Sequence, residues 1–201
     1  MLVKICGITT TEAAHAAVDA GADLIGFVFA ESKRRIIPEQ AAEIMEEVKG
    51  KVRAVGVFVN EDVEEIKRIG SIVGLDYIQL HGDENPKYIE DIPFPVIKAF
   101  GIGVHEDLEQ ISSFQSDYYL LDSPKGQYHG GNGVAINLEL LTNKKLPKDK
   151  VILAGGLTPE NVALAIQTVN PGGVDVSSGV ETNGSKDIEK IYRFVRNARL
   201  S

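Results

Sequence analysis

The sequence predicts a single parallel (β/α)8 barrel over residues 1–201, on three observations. Eight short apolar runs alternate with segments of helical period, the order expected of a parallel sheet wrapped in helices. A weak internal repeat places an aspartate at the head of every second run: Asp23-Leu24-Ile25, Asp76-Tyr77-Ile78, Asp117-Tyr118-Tyr119 and Asp175-Val176. No linker or shift of composition divides the chain, so one domain accounts for it, at the short end of the barrel range. The rival is a doubly wound open sheet. It usually has fewer strands, and no glycine fingerprint follows the first run here.

Strands are expected at 2–6, 23–29, 52–58, 76–80, 95–100, 117–122, 150–154 and 173–177, from their Val, Ile, Phe and Tyr content. Thr9 with Glu12 matches a capping box ahead of an alanine-rich helix that stops at Gly21. Pro38 suits a first helical position, with Ala41, Ala42, Met45 and Val48 on one face. Asn60 can cap a third helix carrying Val63, Ile66 and Ile69. Segments 86–92, 106–111 and 136–141 supply three weaker helices. Thr158-Pro159 opens the seventh, where Val162, Ala165, Ile166 and Val169 fall at i, i+3, i+4 and i+7. The last helix repeats that spacing with Ile188, Ile191, Tyr192 and Val195. Asp23, Asp76 and Asp117 stand where strands begin, on the face of a barrel that governs stability, and read as structural.

Composition narrows the function. The chain is 43 % hydrophobic and 25 % charged, ordinary for a globular protein, with net charge −8. Basic residues gather only at Lys33-Arg34-Arg35, and Lys144-Lys145 reads as solvated surface, which argues against nucleic-acid binding. No apolar run reaches the roughly 18 residues of a membrane span, and no secretory leader is expected. A lone cysteine forms no internal disulfide and fits a reducing cytoplasm. Oligomeric state stays open between monomer and homodimer.

A barrel's active site lies at the carboxyl ends of its strands. Those ends carry Cys6-Gly7, residues 32–35, Asn60, Gln79-Leu80-His81-Gly82, Asp122-Ser123, Ala154-Gly155-Gly156 and Ser177-Ser178-Gly179. Lys4 and Cys6 share one strand face, and a cation two residues from a thiol favours the thiolate and lowers its pKa. Gly7 lets the chain turn and leaves room beside the sulfur. Most lone cysteines are small buried hydrophobes, and these residues alone leave both readings open. Gly155-Gly156 ends strand seven and Ser178-Gly179 follows strand eight, the two loops that usually hold phosphate in this architecture. Asp122 follows Tyr118-Tyr119-Leu120-Leu121, an apolar setting that would keep a carboxyl protonated for proton donation. A helix cap or a surface ion pair is the plainer reading of Asp122. Thiolate and neutral acid would make a proton-transfer pair across the mouth.

A guanidinium in residues 32–35 can grip a carboxylate or phosphate with two parallel bonds, and spacing does not choose between Arg34 and Arg35. The four histidines lack metal-ligand spacing. Of them only His81, at a strand end, could line the site, in a structural or substrate-orienting role. The glycine-rich run Tyr128-His129-Gly130-Gly131-Asn132-Gly133 fits a mobile loop over the mouth.

Taken together these residues resemble the phosphoribosylanthranilate isomerase family of the tryptophan pathway, nearly end to end. The matching blocks are Lys4-Ile5-Cys6-Gly7-Ile8-Thr9, Gly26-Phe27-Val28-Phe29, Ser32-Lys33-Arg34, Gly56-Val57-Phe58-Val59-Asn60, Gln79-Leu80-His81-Gly82, Leu120-Leu121-Asp122, Ala154-Gly155-Gly156-Leu157 and Val174-Asp175-Val176-Ser177-Ser178-Gly179-Val180-Glu181. The resemblance implies a barrel without metal or organic cofactor, acting on a phosphorylated small molecule. It implies an Amadori rearrangement of N-(5-phosphoribosyl)anthranilate to 1-(2-carboxyphenylamino)-1-deoxyribulose 5-phosphate. By the same resemblance Cys6 is the general base and Asp122 the general acid. Arg34 meets the anthranilate carboxylate, and Gly155, Gly156, Ser178 and Gly179 cradle the phosphate. Gln79, His81 and Asp175 fall among its substrate-binding positions, although the strand-start pattern would make Asp175 structural. The chain departs from the family at Asn132-Gly133, Ile136-Asn137-Leu138, Arg35 and Asn183-Gly184, where Pro-Gly is usual. Two other functions fit the same scaffold: another sugar-phosphate isomerase or epimerase, and a non-catalytic barrel that binds a phosphorylated metabolite.

Overall fold

The computed structural model describes residues 1–124, 136–142 and 146–201. Its first half runs β1 (Leu2–Cys6), α1 (Thr11–Ala20), β2 (Leu24–Val28), α2 (Pro38–Val48), β3 (Arg53–Phe58), α3 (Val63–Val73), β4 (Tyr77–Leu80), α4 (Pro86–Glu90) and β5 (Val96–Gly101). A 3-10 helix at His105–Ser113 leads to β6 (Tyr118–Asp122), followed by α5 (Glu139–Thr142), β7 (Val151–Leu153), α6 (Val162–Val169) and β8 (Gly173–Val176). A short hairpin, β9 (Glu181–Thr182) and β10 (Ser185–Lys186), precedes α7 (Ile188–Arg199). Strands β1 to β8 pair in sequence order, all in parallel, and β8 returns to β1 to close a barrel. The expected (β/α)8 fold is therefore present.

Strand alternation sorts the core into two shells. Leu24, Val55, Ile97, Ala99, Leu120, Ile152 and Ala154 fill the inside of the barrel. Their neighbours, such as Val3, Ile25, Ala54, Leu121, Leu153 and Val174, face outward under the helices. Register then decides which polar side chains enter the barrel: Lys4 stands beside Leu24 and Asp175, and Gln79 beside Ile97.

The strand-start aspartates hold the ladder together at its opening. Asp23 accepts the N–H of Val3 at 2.7 Å, Asp76 that of Ala54 at 2.7 Å, and Asp117 that of Val96 at 2.9 Å. Each carboxylate ties a strand to its predecessor. Asp175 breaks the pattern, because β8 begins at Gly173 and Asp175 lies inside the strand.

Several helix starts differ from the sequence expectation. Thr10, not Thr9, caps α1 and accepts the Ala13 N–H. Asp62 caps α3, while Asn60 takes φ +50 and its Oδ1 accepts the Asp83 N–H. Thr158-Pro159 forms a turn ahead of α6, whose N-cap is Asn161. The fifth helix is 3-10: the hydroxyls of Ser112 and Ser113 bond to the Glu109 and Gln110 carbonyls and compete with α-helical pairing. The sixth shrinks to the single turn α5. On α7, Phe194 fills the core and Tyr192 points outward.

A buried staple joins the loops after β3 and β4 to β5. Lys98 Nζ donates to Glu84 Oε2 at 2.8 Å and to the Gly82 carbonyl at 2.9 Å. Glu84 Oε1 in turn accepts the N–H groups of Asn60 and Gly82. Both side chains are essentially sealed, 3 % and 1 % exposed. Among the described residues no helix is long and apolar enough to cross a membrane.

Candidate active site at the barrel mouth

The carboxyl ends of β6, β7 and β8 enclose a cleft with about 340 Å³ of empty space, open to solvent at its mouth. Asp122, Ser123, Gly155, Gly156, Asp175, Ser178 and Gly179 all line it. All of these but Ser123 were assigned a site role from the sequence, so six such residues meet in one cavity. Gly155 and Gly156 both take positive φ, +78° and +67°, the left-handed backbone that glycine adopts without strain. Among the described residues, the N–H groups of Gly155, Gly156, Ser178 and Gly179 donate to no carbonyl or side chain. Unpaired N–H groups beside one cavity make a nest for an anion. Ile136, one of the residues at which the chain departs from the family, donates its N–H to the Gly155 carbonyl at 3.2 Å, bracing the same loop. The glycine-rich run at 128–133 lies outside the described residues.

Asp122 is buried, with Oδ1 accepting the Ser123 N–H at 2.8 Å and the Ser123 hydroxyl at 3.3 Å. Its Oδ2 lies 3.4 Å from His81 Nε2. Behind His81, Gln79 Nε2 sits 3.1 Å from Nδ1. An amide nitrogen can only donate, which leaves the proton of a neutral His81 on Nε2, facing Asp122. Gln79 Oε1 is buried and has no partner among the described residues.

Cys6 faces the barrel interior with Lys4, as the strand period requires. Cys6 does not itself line the cleft; Lys4, beside it on the same strand face, donates from Nζ to Asp175 Oδ1 in the cleft wall at 2.8 Å. Burial alone would lower Lys4, but Asp175 and Cys6 hold it up at about 12. The thiol itself goes the other way from the sequence expectation. Burial pushes the Cys6 pKa up, Asp175 adds to that, and the nearby Lys4 and Lys186 only partly oppose it. Lys4 still favours the thiolate, but the cost of taking that charge out of water is larger. Alkylation of the ligand-free protein should therefore rise with pH to a midpoint above the 9.0 ordinary to a thiol. In Lys4→Met that midpoint should climb further. Iodoacetamide rates measured across pH check both, and a midpoint at or below 9 would show that Lys4 outweighs burial.

The space beside the sulfur comes from Gly26, not Gly7. A Cβ at Gly26 would stand 2.8 Å from Cys6 Sγ and 3.1 Å from Lys4 Nζ. Gly7 instead, at φ +76, leaves room for the stem of Arg34, whose Cδ lies 2.5 Å from where its Cβ would be. Arg34 is half-buried at the mouth, whereas Arg35 is exposed. The Arg34 fork is engaged by Glu181: Nε to Oε1 at 2.6 Å and Nη2 to Oε2 at 2.9 Å. Lys186 Nζ reaches the same carboxylate at 2.6 Å and the Ser177 carbonyl at 2.9 Å. Burial would raise Glu181, yet the bond from Arg34 and the charge of Lys186 hold it below the usual carboxylate range. Gly26 and Lys186 carried no role in the sequence reading. The Asn-Gly turn between Thr182 and Ser185 was the available signal for the hairpin that presents Lys186.

Comparison with known proteins agrees with this geometry. A family model described as N-(5'phosphoribosyl)anthranilate (PRA) isomerase matches residues 3–197. N-(5'-phosphoribosyl)anthranilate isomerase of Bacillus cereus is 50 % identical over 200 residues, covering 98 % of each chain. A structure of monomers generated from the dimeric phosphoribosylanthranilate isomerase of Thermotoga maritima superposes with TM-score 0.87 at 40 % identity, covering 100 % of both chains. A phosphoribosyl anthranilate isomerase in complex with reduced 1-(o-carboxyphenylamino)-1-deoxyribulose 5-phosphate gives TM-score 0.85 at 40 % identity, again over 100 % of both chains. With its family matched from residue 3 to residue 197 and half its residues shared with a full-length relative, the chain belongs to the N-(5'-phosphoribosyl)anthranilate isomerase family.

Proposed function

We propose that this chain isomerises N-(5-phosphoribosyl)anthranilate to 1-(2-carboxyphenylamino)-1-deoxyribulose 5-phosphate, an Amadori rearrangement in tryptophan biosynthesis. The observation that carries the reading is the cleft in which a buried carboxyl, Asp122, shares a wall with the open N–H groups of the β7 and β8 loops, in a chain of this family. The substrate's 5-phosphoryl group sits against Gly155, Gly156, Ser178 and Gly179. Asp122 protonates the ribose ring oxygen; the C1–O bond breaks and the amine nitrogen becomes an iminium. Cys6 as thiolate then removes the C2′ proton; the electron pair of the broken C2′–H bond neutralises the iminium to an enolamine, and tautomerisation gives the ketone. Burial disfavours the thiolate at rest; the thiol's proton leaves to solvent as the positive iminium forms nearby and supplies the opposite charge that favours the thiolate at that step.

Arg34 receives the anthranilate carboxylate, and the unpaired Gln79 Oε1 is an acceptor ready for a hydroxyl of the sugar-derived chain. His81 orients Asp122 by presenting an N–H beside it. Asp175 holds Lys4 in place, which reconciles its structural and site readings. The chain works as one catalytic domain in the cytoplasm, as a monomer or homodimer. The expected result is turnover of freshly prepared phosphoribosylanthranilate, followed as loss of its fluorescence. Removal of the 5-phosphate from the substrate should weaken binding sharply. Binding of the product with no turnover of substrate would instead favour the non-catalytic reading.

A further inference from the structure

Glu181 poses a physical problem for the mouth. A carboxylate already paired to Arg34 cancels the charge that should attract the ligand's carboxylate. The hairpin resolves this. Glu181 takes Nε–H and one Nη2–H in the side-on arrangement, which leaves Nη1 and the other Nη2–H as a second fork facing away from it. Lys186, register partner of Glu181 across β9–β10, contacts the same carboxylate with only 4 % of its side chain exposed. Arg34, Glu181 and Lys186 together therefore carry one net positive charge, little screened by water. Lys186 is fixed from the far side by the Ser177 carbonyl, and the Ser177 hydroxyl donates to the Cys6 carbonyl at 3.1 Å. The seat is built into the strand end that bears the thiol.

We propose that Glu181 and Lys186 are positioning residues for specificity: Glu181 fixes the plane of the Arg34 guanidinium, Lys186 restores its net charge, and the free fork selects ligands that carry an aromatic carboxylate. The inference rests on the reading of Arg34 above and adds how that residue is held and kept cationic. The hairpin turn supports a rigid presentation. Asn183 and Gly184 adopt φ +52 and +82, a tight turn matched to strand twist that proline, fixed near −65°, cannot form at the first position.

The test uses two ligands, reduced 1-(2-carboxyphenylamino)-1-deoxyribulose 5-phosphate and its counterpart lacking the carboxyl group, titrated calorimetrically into full-length protein. Glu181→Gln and Lys186→Met should each weaken the carboxylated ligand about 10- to 100-fold, the span of a charged hydrogen bond. Binding of the decarboxylated ligand should stay unchanged, which also certifies the fold. In turnover, KM for phosphoribosylanthranilate should rise in both variants, with kcat largely retained in Glu181→Gln; in Lys186→Met kcat should fall as well, because that charge helps lower the Cys6 pKa. Unchanged affinity for the carboxylated ligand, or equal loss of both ligands, overturns the proposal. Arg34→Ala separates the two levels: if it fails to discriminate between the ligands, the reading of Arg34 itself falls and this inference falls with it. If it discriminates and Glu181→Gln does not, only the positioning role is wrong.

Discussion

Asp122→Asn is expected to lower kcat for phosphoribosylanthranilate by about 10²- to 10⁴-fold while product affinity stays near that of the wild type. The substitution keeps the shape of the side chain and the acceptor that Ser123 engages through Oδ1. What it removes, on the proposed mechanism, is the proton delivered to the ring oxygen. Cys6→Ala should fall in the same range by removing the acceptor for the C2′ proton, and it leaves a space that Gly26 already keeps open. The two losses should not add in the double variant, because each residue serves one step of a single sequence. Steady-state kinetics and product titration on the three variants check this. Near-wild-type turnover in either single variant would remove that residue from the mechanism.

The second large effect concerns stability. Lys98→Met should destabilise the protein by about 3–5 kcal/mol, since it strips the cation from a sealed carboxylate and orphans the Gly82 carbonyl. Lys98 also lies 5.7 and 5.8 Å from the ring centres of Phe100 and Phe114, so its stem and charge are both enclosed. Adding Glu84→Gln should recover part of the loss, because the remaining amide carries no unpaired charge. Urea unfolding of the single and double variants measures both quantities. A single-variant cost under about 1 kcal/mol would place this pair among ordinary surface contacts. Since the staple fixes the Gly82 backbone next to His81, Lys98→Met should also weaken turnover beyond what the fraction unfolded explains.

Much of this was readable from residues alone, for reasons that can be named. Strand period put Lys4 and Cys6 on one face; that it is the inner face follows from the register that sets Lys4 beside the inward Leu24. The glycine pair after β7 and the serines after β8 read as a candidate anion site from their place in the loops, and the structure lines one cleft with them. What sequence did not disclose depended on contacts between distant segments. The direction of the Cys6 shift turns on burial and on Asp175, 169 positions away in the chain, rather than on the adjacent lysine. The function of Gly7 could not be told from that of Gly26 without knowing that Arg34 crosses one and the sulfur the other. Cap positions slipped by one to three residues because Thr9 and Thr10, Asn60 and Asp62, or Thr158 and Asn161 are chemically similar choices. Glu181 and Lys186 look like ordinary charges until the hairpin pairs them.

The closed interior around the sulfur has a further consequence for the lifetime of the protein. Peroxide and other oxidants attack the thiolate, and they do so fastest where it is solvent-accessible. The Cys6 thiol, its pKa raised by burial behind strand walls, presents little of that species to solvent. The same desolvation that makes the group a reluctant base at rest is what spares it from sulfenic acid formation.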